Sequence, residues 1–298
     1  MEFYSHGKLM LTGEYIVLAG AQALSVPTKL GQKMRVEPTE NASIHWKSVD
    51  CNGDVWFENE FQYPNFEVSK TVDTNIEGRL IQLLQFIKKY SSLDLQKSGW
   101  DIETTLEFER QWGLGSSSTL VANLAKWSDV DPIKLLHAGF KGSGYDVATG
   151  MENDTILYQI KNGKPTWKKA SFQPLFVDQL FFVYLGEKQQ SEKEVAAFDI
   201  GSITKQDIAL FDTLTNDLLA CETLPDYSYI MTSHEMELGQ ILNRSTVKYA
   251  RFADYPFSIK SLGGWGGDFV LVVGNPEDKE YFKTKGYDTI INWADMIK

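Results

Sequence analysis

The segment that most constrains this chain is 112–119, which reads Trp-Gly-Leu-Gly-Ser-Ser-Ser-Thr. It follows the strand-like run 100–108 and precedes the apolar helical pattern 120–125. A strand, a glycine turn and a helix start in this order bring unpaired amide groups and three serine hydroxyls to one point of the backbone. Glycines at 113 and 115 let a ligand approach the main chain without a side-chain clash. The segment therefore predicts an anion site, and phosphate is the anion that fits it best.

The same segment also fits an ordinary Ser/Thr-rich helix N-cap, because serine and threonine are preferred at that position. The phosphate loop Gly-x-x-x-x-Gly-Lys-Ser/Thr is missing, since neither Gly7-Lys8 nor Gly163-Lys164 is followed by serine or threonine. A phosphate site in this chain must therefore have another design.

Four motifs together resemble the GHMP kinases, the superfamily named for galactokinase, homoserine kinase, mevalonate kinase and phosphomevalonate kinase. Residues 113–118 are similar to its Gly-Leu-Gly-Ser-Ser-Ala phosphate loop, and residues 7–15, Gly-Lys-Leu-Met-Leu-Thr-Gly-Glu-Tyr, to its amino-terminal signature. Residues 260–268 resemble its carboxy-terminal glycine-rich motif. Residues 142–148 resemble the segment that holds its catalytic aspartate, and their Gly-Tyr-Asp-Val-Ala is most similar to the GYDIA-family GHMP kinases. Each motif is weak alone, but the four occur in the family's order.

The resemblance implies an α+β fold of two domains with a nucleotide and an acceptor between them. The expected amino-terminal domain, residues 1–155, is like domain 2 of ribosomal protein S5, and the expected carboxy-terminal domain, residues 156–298, is ferredoxin-like. Residue patterns alone predict the helices 75–90, 203–219 and 229–242, and a helix from the glycine loop to about 127. They also predict strands at 15–18 and 33–36 and a surface hairpin within 41–70.

The family's site residues can be carried over by motif, with ATP and Mg²⁺ as the implied cofactors. The positions implied for the nucleotide are Gly113, Leu114, Gly115, Ser116, Ser117, Ser118, Gly263, Gly264, Gly266 and Gly267. Ser117, or alternatively Ser116, would ligate the magnesium ion. Lys8 would stabilise charge at the transferred phosphoryl group, and Asp146 would accept the proton of the acceptor hydroxyl.

Three further residues are implied at the acceptor, namely Glu14, Tyr145 and His234. Glu14 would also hold Lys8. Glu14 and Lys8 also fit a structural ion pair, because ionisable residues in an apolar stretch are seldom buried without partners. His234 also fits a helix cap or a surface position. A zinc site of the His-Glu-x-x-His type is unsupported, since Leu238 stands where the second histidine would be.

Two departures from the family pattern keep other functions open. No glutamate lies between Ser118 and Asp146 to serve as a second magnesium ligand, and Asp129 and Asp131 are the only carboxylates there. Trp265 interrupts the glycine-rich motif, where its ring could cover the phosphates or stack on a substrate. Mevalonate or phosphomevalonate is the expected acceptor. A nucleotide-binding or regulatory protein without turnover, and an enzyme like diphosphomevalonate decarboxylase, are the alternatives.

Composition limits the partners of the chain. A net charge of −11 opposes nonspecific nucleic-acid binding, which needs clustered lysine and arginine. Cys51 and Cys221 form no Cys-x-x-Cys pair, so neither a zinc knuckle nor a disulfide framework is indicated. No apolar run is long enough to span a bilayer and the amino terminus does not resemble a signal peptide. We therefore expect a cytoplasmic monomer or homodimer that acts on a small molecule.

Overall fold

The computed structural model describes residues 1–187, 194–195 and 197–298. The chain forms two compact units. The first comprises Met1–Gly7, Leu30–Arg110 and Leu114–Asn153, and the second comprises Lys8–Lys29, Gln111–Gly113 and Asp154–Lys298. The last junction lies close to the domain boundary expected at residues 155–156. Two segments that precede this boundary, residues 8–29 and 111–113, nevertheless belong to the second unit.

The first unit is a sheet covered by helices. The strands of this part of the chain are β1 (Glu2–Thr12), β2 (Ala23–Thr39), β3 (Ser43–Val49), β4 (Val55–Gln62), β5 (Glu67–Val68) and β6 (Gly99–Leu106). The strand order within the unit is β5-β4-β3-β6-β2, with β3 and β6 parallel and the other neighbours antiparallel. The helices are α1 (Thr74–Tyr90), α2 (Ser116–Ser128), α3 (Pro132–Gly139) and α4 (Tyr145–Glu152).

The hairpin of β3 and β4 was expected at the surface, but one of its faces is core. Trp46, Phe57 and Phe61 are at most 2% exposed. Alternation along a strand sends every second side chain to the same face, so these aromatic residues reach the helices while polar neighbours face outward. The first predicted helix is confirmed, since α1 buries Leu80, Leu83, Leu84 and Ile87 and its start is capped by Asp73.

The second unit contains a four-stranded antiparallel sheet formed by β9 (Leu180–Tyr184), β10 (Ile259–Leu262), β11 (Phe269–Val273) and β12 (Ile290–Asn292). The order is β10-β11-β9-β12. Helices α5 (Lys205–Ala220), α6 (Leu224–Leu242) and α7 (Val247–Arg251) connect β9 to β10, and α8 (Lys279–Thr284) connects β11 to β12. This β-α-β-β-α-β order is the ferredoxin-like arrangement, as expected.

The remaining elements of the second unit complete it around the sheet. The hairpin of β7 (Ile156–Lys161) and β8 (Lys164–Lys169) pairs with residues 23–25 of β2, and a short helix α9 (Trp293–Met296) follows β12. The α+β class is therefore confirmed. No helix within the described parts of the chain has the length and apolar character needed to cross a bilayer.

Two local predictions are wrong. Residues 15–18 form part of a 3₁₀ turn, Ile16–Ala19, rather than a strand, because Gly13, Tyr15 and Gly20 all adopt positive φ and bend the backbone at both ends. Helix α6 begins at Leu224, five residues before the predicted start at 229, since the side chain of Thr223 caps it and a proline occupies its first turn. His234 therefore lies in the middle of the helix.

Candidate functional site: a glycine-led helix start and a buried charge cluster

The predicted phosphate loop leads into α2 through two glycines with positive φ. Gly113 has φ 68°, and Gly115, the N-cap residue of α2, has φ 92°. Within the described chain no side chain caps this helix start, whereas Thr223 caps α6 and Asp73 caps α1. The alternative, an ordinary helix start capped by a serine or threonine side chain, is therefore wrong. The first amide groups of α2 remain available to an anion, which the helix dipole also favours.

The three serines at the start of α2 differ in what they offer a ligand. Ser117 is exposed and Ser116 is partly exposed, whereas Ser118 is 2% exposed and its hydroxyl donates to the Gly115 carbonyl at 2.8 Å. The hydroxyl of Thr119 is also turned inward, to Gln32 at 3.0 Å. Ser116 and Ser117 are therefore the residues whose hydroxyls can meet a ligand, and Ser118 can contribute only its amide.

Asp146 lies in the first turn of α4, in the same unit as the start of α2. Gly144 precedes the helix with φ 88°, and one carboxylate oxygen of Asp146 accepts from the Val147 amide at 2.9 Å. Asp146 and its neighbour Tyr145 are partly exposed. Helix α4 packs on α2 where Gly150 meets Ala122, and a Cβ atom on Gly150 would lie only 3.3 Å from that of Ala122. The close packing fixes the two helices that carry the predicted base and the predicted phosphate site.

Lys8 contacts the phosphate loop directly within the second unit. Its side chain is largely buried, with the residue 8% exposed, and its ammonium group donates to the Gly113 carbonyl at 3.1 Å. The two residues are far apart in sequence, and the fold brings them together. A positive charge therefore stands at the glycine that opens the loop, where the charge of a phosphate would be stabilised.

Glu14 has a partner that differs from the expected one. The expectation was that Glu14 holds Lys8, but its carboxylate accepts a hydrogen bond from the ammonium group of Lys260 on β10. Glu14 is 5% exposed and Lys260 is 1% exposed, so the pair is buried. A buried charge requires a partner, and this pairing answers that requirement for both residues. Glu14 therefore forms a structural ion pair, but its partner is Lys260 rather than Lys8.

His234 and Glu235 of α6 complete this buried cluster. Nε2 of His234 accepts from the Gly13 amide at 2.9 Å, and burial, together with the charge of Lys260, holds the pKa of the imidazole well below its usual value. The ring is therefore neutral, which excludes an ion pair with Glu14 although Nε2 lies 3.5 Å from its carboxylate. The cap and surface readings of His234 are wrong, because the residue is fully buried in mid-helix.

Glu235 is a buried carboxyl group whose pKa burial raises to about 7, against the lowering effect of Lys260. One of its oxygens accepts from the hydroxyl of Ser261 at 2.7 Å, and the other lies 4.0 Å from the Lys260 ammonium group. Of the described residues, none hydrogen bonds that second oxygen. The cluster thus contains two carboxyl groups for one lysine, and the second carboxyl group takes up a proton near neutral pH.

Glu235 should make the free energy of unfolding depend on pH. Its pKa is raised from 4.5 to about 7 in the folded chain, so between these values the folded state binds a proton that the unfolded state has released. Stability must then fall as the pH rises through this window, by up to about 1.4 kcal/mol per pH unit. We expect Glu235→Gln to remove this contribution to the slope. Urea unfolding of both proteins at several pH values measures it, and parallel curves would show that Glu235 does not titrate in this range.

Trp265 neither covers the loop nor offers its ring to a substrate. It is 7% exposed and packs in an apolar cluster with Tyr15, Phe211 and Leu238. Its amide donates to the Tyr15 hydroxyl at 3.0 Å and its indole to the Ser245 carbonyl at 3.2 Å. The side chain is therefore part of the core, and it gives no reason to expect an inactive site.

The two aspartates considered as magnesium ligands are placed elsewhere. Asp129 is the C-cap residue of α2, about 20 Å from the start of that helix at 1.5 Å per residue. Asp131 accepts from the amides of Ile133 and Lys134 and caps α3. Over the described residues, no group of three or more His, Cys, Asp or Glu side chains could hold a metal ion. A magnesium ion would fit here as the companion of nucleotide phosphates, held on the protein side by a serine hydroxyl.

Sequence reasoning missed three residues of the site: Lys260, Glu235 and Asp268. Glu235 sits on the buried stripe of α6 that contains Tyr227, Met231 and Leu238, so a charged residue within a helical apolar pattern was the available signal. Lys260 is likewise a charged residue in β10, a strand whose four residues are all buried. Asp268 was quoted only as the last residue of the glycine-rich motif, and its contacts become visible only in three dimensions.

Comparison with known proteins finds similarity to kinases of the group that the motifs resemble. The mevalonate kinase of Methanocaldococcus jannaschii is 25% identical to this chain over 298 residues, covering 93% of each protein. The crystal structure of the Methanococcus jannaschii mevalonate kinase has a TM-score of 0.69 at 20% identity and covers 98% of this chain and 97% of that one. The Streptococcus pneumoniae phosphomevalonate kinase, solved with phosphomevalonate and AMPPNP, has a TM-score of 0.67 at 17% identity, with coverages of 98% and 99%. No family model matches this sequence.

These comparisons agree with the observations made from the residues upward. The solved structures share the fold over nearly the whole chain, and the relative from Methanocaldococcus jannaschii extends the agreement to the sequence. The glycine-led start of α2, Lys8 at Gly113 and the ferredoxin-like sheet fit the same group. In fold and in its sequence motifs, this chain is therefore similar to the kinases of the GHMP superfamily.

Proposed function

We propose that this protein transfers the γ-phosphoryl group of ATP to a hydroxyl or phosphate group of a small metabolite, and that the metabolite is mevalonate or phosphomevalonate. The observation that carries the proposal is the uncapped start of α2 behind Gly113 and Gly115, with the Lys8 ammonium group on the Gly113 carbonyl. The similarity to a mevalonate kinase along 93% of the chain supports the choice of acceptor.

Phosphoryl transfer requires mainly positioning and stabilisation of charge. The amides at the start of α2, with Gly113 and Gly115, hold the nucleotide phosphates, and Lys8 stabilises negative charge on the phosphoryl group. When the acceptor is a hydroxyl, Asp146 takes its proton as the new oxygen–phosphorus bond forms and ADP leaves. Tyr145, beside Asp146, borders the acceptor in this proposal. Gly263, Gly264, Gly266 and Gly267 form the turn of the glycine-rich motif on the nucleotide side.

Mg²⁺ would neutralise part of the phosphate charge when it is bound. Ser117 or Ser116 would hold it through the hydroxyl, because these two serines are the accessible ones at the start of α2. Glu14 and His234 act indirectly in this proposal. Both are buried, and Glu14 is hydrogen bonded to Lys260 whereas His234 is hydrogen bonded to Gly13. They therefore hold the amino-terminal motif that carries Lys8 in place and do not touch the acceptor themselves.

An assay of acceptor-dependent ADP release tests the proposal. The purified protein, with ATP and magnesium, is offered mevalonate, phosphomevalonate, diphosphomevalonate, galactose and homoserine separately. We expect ADP release that depends on mevalonate or phosphomevalonate. Faster turnover of galactose or homoserine would refute the acceptor, and carbon dioxide release with diphosphomevalonate would indicate a decarboxylase instead. ATP binding without turnover of any compound would favour the nucleotide-binding protein, an alternative that now rests on the missing second carboxylate alone.

A further inference from the structure

Asp268 is a buried carboxylate that lies against the first glycine of the phosphate loop, within the second unit. The residue is 4% exposed. A Cβ atom built on Gly113 would overlap the Asp268 carboxylate group and would lie 2.8 Å from Oδ1, the farther of its two oxygens. A Cβ atom built on Gly263 would lie 2.6 Å from Oδ2 of the same group. Both approaches are closer than real Cβ atoms make. The carboxylate therefore fills a space that exists only because positions 113 and 263 are glycine.

The backbone of Asp268 is itself fixed, and this fixes the direction of its side chain. Its φ of 54° lies in the left-handed region, which aspartate tolerates better than most residues. Its amide donates to the Glu187 carbonyl at 2.7 Å, and its carbonyl accepts from the Leu185 amide at 2.8 Å. These two bonds attach Asp268 to the end of β9, so the carboxylate meets Gly113 from a rigid sheet.

The other contacts of the loop entrance come from the same part of the second unit. The Tyr184 hydroxyl donates to the Gln111 carbonyl at 3.2 Å, and the ring of Trp112 stands edge-on to that of Phe269 at 5.6 Å. Each of residues 111 to 113 thus has its own contact. At Gly113 the contacts are the Lys8 ammonium group on the carbonyl and the Asp268 carboxylate on the Cα side.

We propose that Asp268 is a positioning residue: by packing against Gly113, its carboxylate sets where the phosphate loop presents its amides to a nucleotide. The inference rests on the proposed function for its ligand, ATP. Asp268 would thus act on the nucleotide site without binding the phosphates, as the loop does, and without taking a proton, as Asp146 does. Since the role is one of shape, asparagine, which has nearly the same shape, should preserve it, and alanine should not.

The first measurement is made without any ligand. Amide hydrogen exchange of the segment 111–114 is followed in the wild type, Asp268→Ala, Asp268→Asn and a control, Tyr255→Phe. The control removes a buried hydrogen bond to the Val273 carbonyl in the same sheet, away from the loop. We expect faster exchange of the segment in Asp268→Ala only. Unchanged exchange in Asp268→Ala, or equally faster exchange in the control, would overturn the inference.

The second measurement is the dissociation constant of ATP with magnesium for the same proteins. We expect Asp268→Ala to weaken binding about tenfold, because small displacements of a positioning group have large effects, and Asp268→Asn to remain near the wild type. Faster exchange with unchanged ATP affinity would refute the positioning role. If the wild type binds no ATP, the proposed function fails and the nucleotide part of the inference fails with it, whereas the exchange result still decides whether Asp268 fixes Gly113.

A double-mutant cycle keeps the test valid if one variant folds poorly. Gly113→Ala should weaken ATP binding strongly in the wild type, because its methyl group meets the carboxylate of Asp268. In the Asp268→Ala background that clash is absent, and only the cost of a positive φ at position 113 remains. We therefore expect a smaller effect of Gly113→Ala in that background. Additive effects would contradict a direct contact between the two residues.

Discussion

Lys260→Met is expected to lower the free energy of unfolding by about 3–5 kcal/mol, because the substitution leaves the carboxyl groups of Glu14 and Glu235 buried without their cation. Lys260 is 1% exposed, so water cannot take its place. For a chain of this size the melting temperature should fall by about 10 °C. Urea unfolding and a thermal melt measure the two quantities.

Two further variants show whether charge is the cause. Lys283→Met, on the exposed surface of α8, removes a lysine of the same unit and should change the free energy of unfolding by less than about 0.5 kcal/mol. Glu14→Gln combined with Lys260→Met should be less destabilised than Lys260→Met alone, since no unpaired Glu14 charge remains. A double variant that is no more stable than the single one would show that lost packing, and not charge, accounts for the effect.

Asp146→Asn should lower kcat by about 10²–10⁴-fold, the usual contribution of a general base, and leave ATP affinity near that of the wild type. Asparagine can still accept from the Val147 amide, so the first turn of α4 should be retained. Initial rates of ADP release at saturating acceptor, together with ATP titrations, separate the two quantities. Asp154→Asn, an exposed aspartate just beyond α4, is the matched control. An unchanged kcat in Asp146→Asn would remove Asp146 from the mechanism.

The sequence predicted the parts of the site that depend on local geometry. The glycines of 113–115 followed by a helical pattern are a local signal, and the structure has that glycine turn and helix start. Gly144 before Asp146 is a second case, since a left-handed glycine opens α4 as the motif suggested. The ferredoxin-like order of the second sheet came from family resemblance rather than from residue patterns.

The contacts that could not be predicted are those between distant residues. Glu14 and Lys260 are separated by most of the chain, and they meet only because the three-dimensional order of the elements places the turn after β1 beside β10. Without that order, Lys8 was the nearest cation in sequence for Glu14. Trp265 was misjudged because its direction depends on the backbone at its own position and on the cluster around Tyr15. The 3₁₀ turn at 16–19 was missed because apolar residues are also what a buried strand contains.

We propose above all that this protein phosphorylates mevalonate or phosphomevalonate with ATP. The most direct test uses ATP labelled in its γ-phosphoryl group, with magnesium and each of the two acceptors, and identifies the labelled product by mass spectrometry. We predict that the label appears on one of the two acceptors and that its transfer is about 10²–10⁴-fold slower in Asp146→Asn. Label found only in inorganic phosphate, or retained in ATP with both acceptors, would contradict the claim.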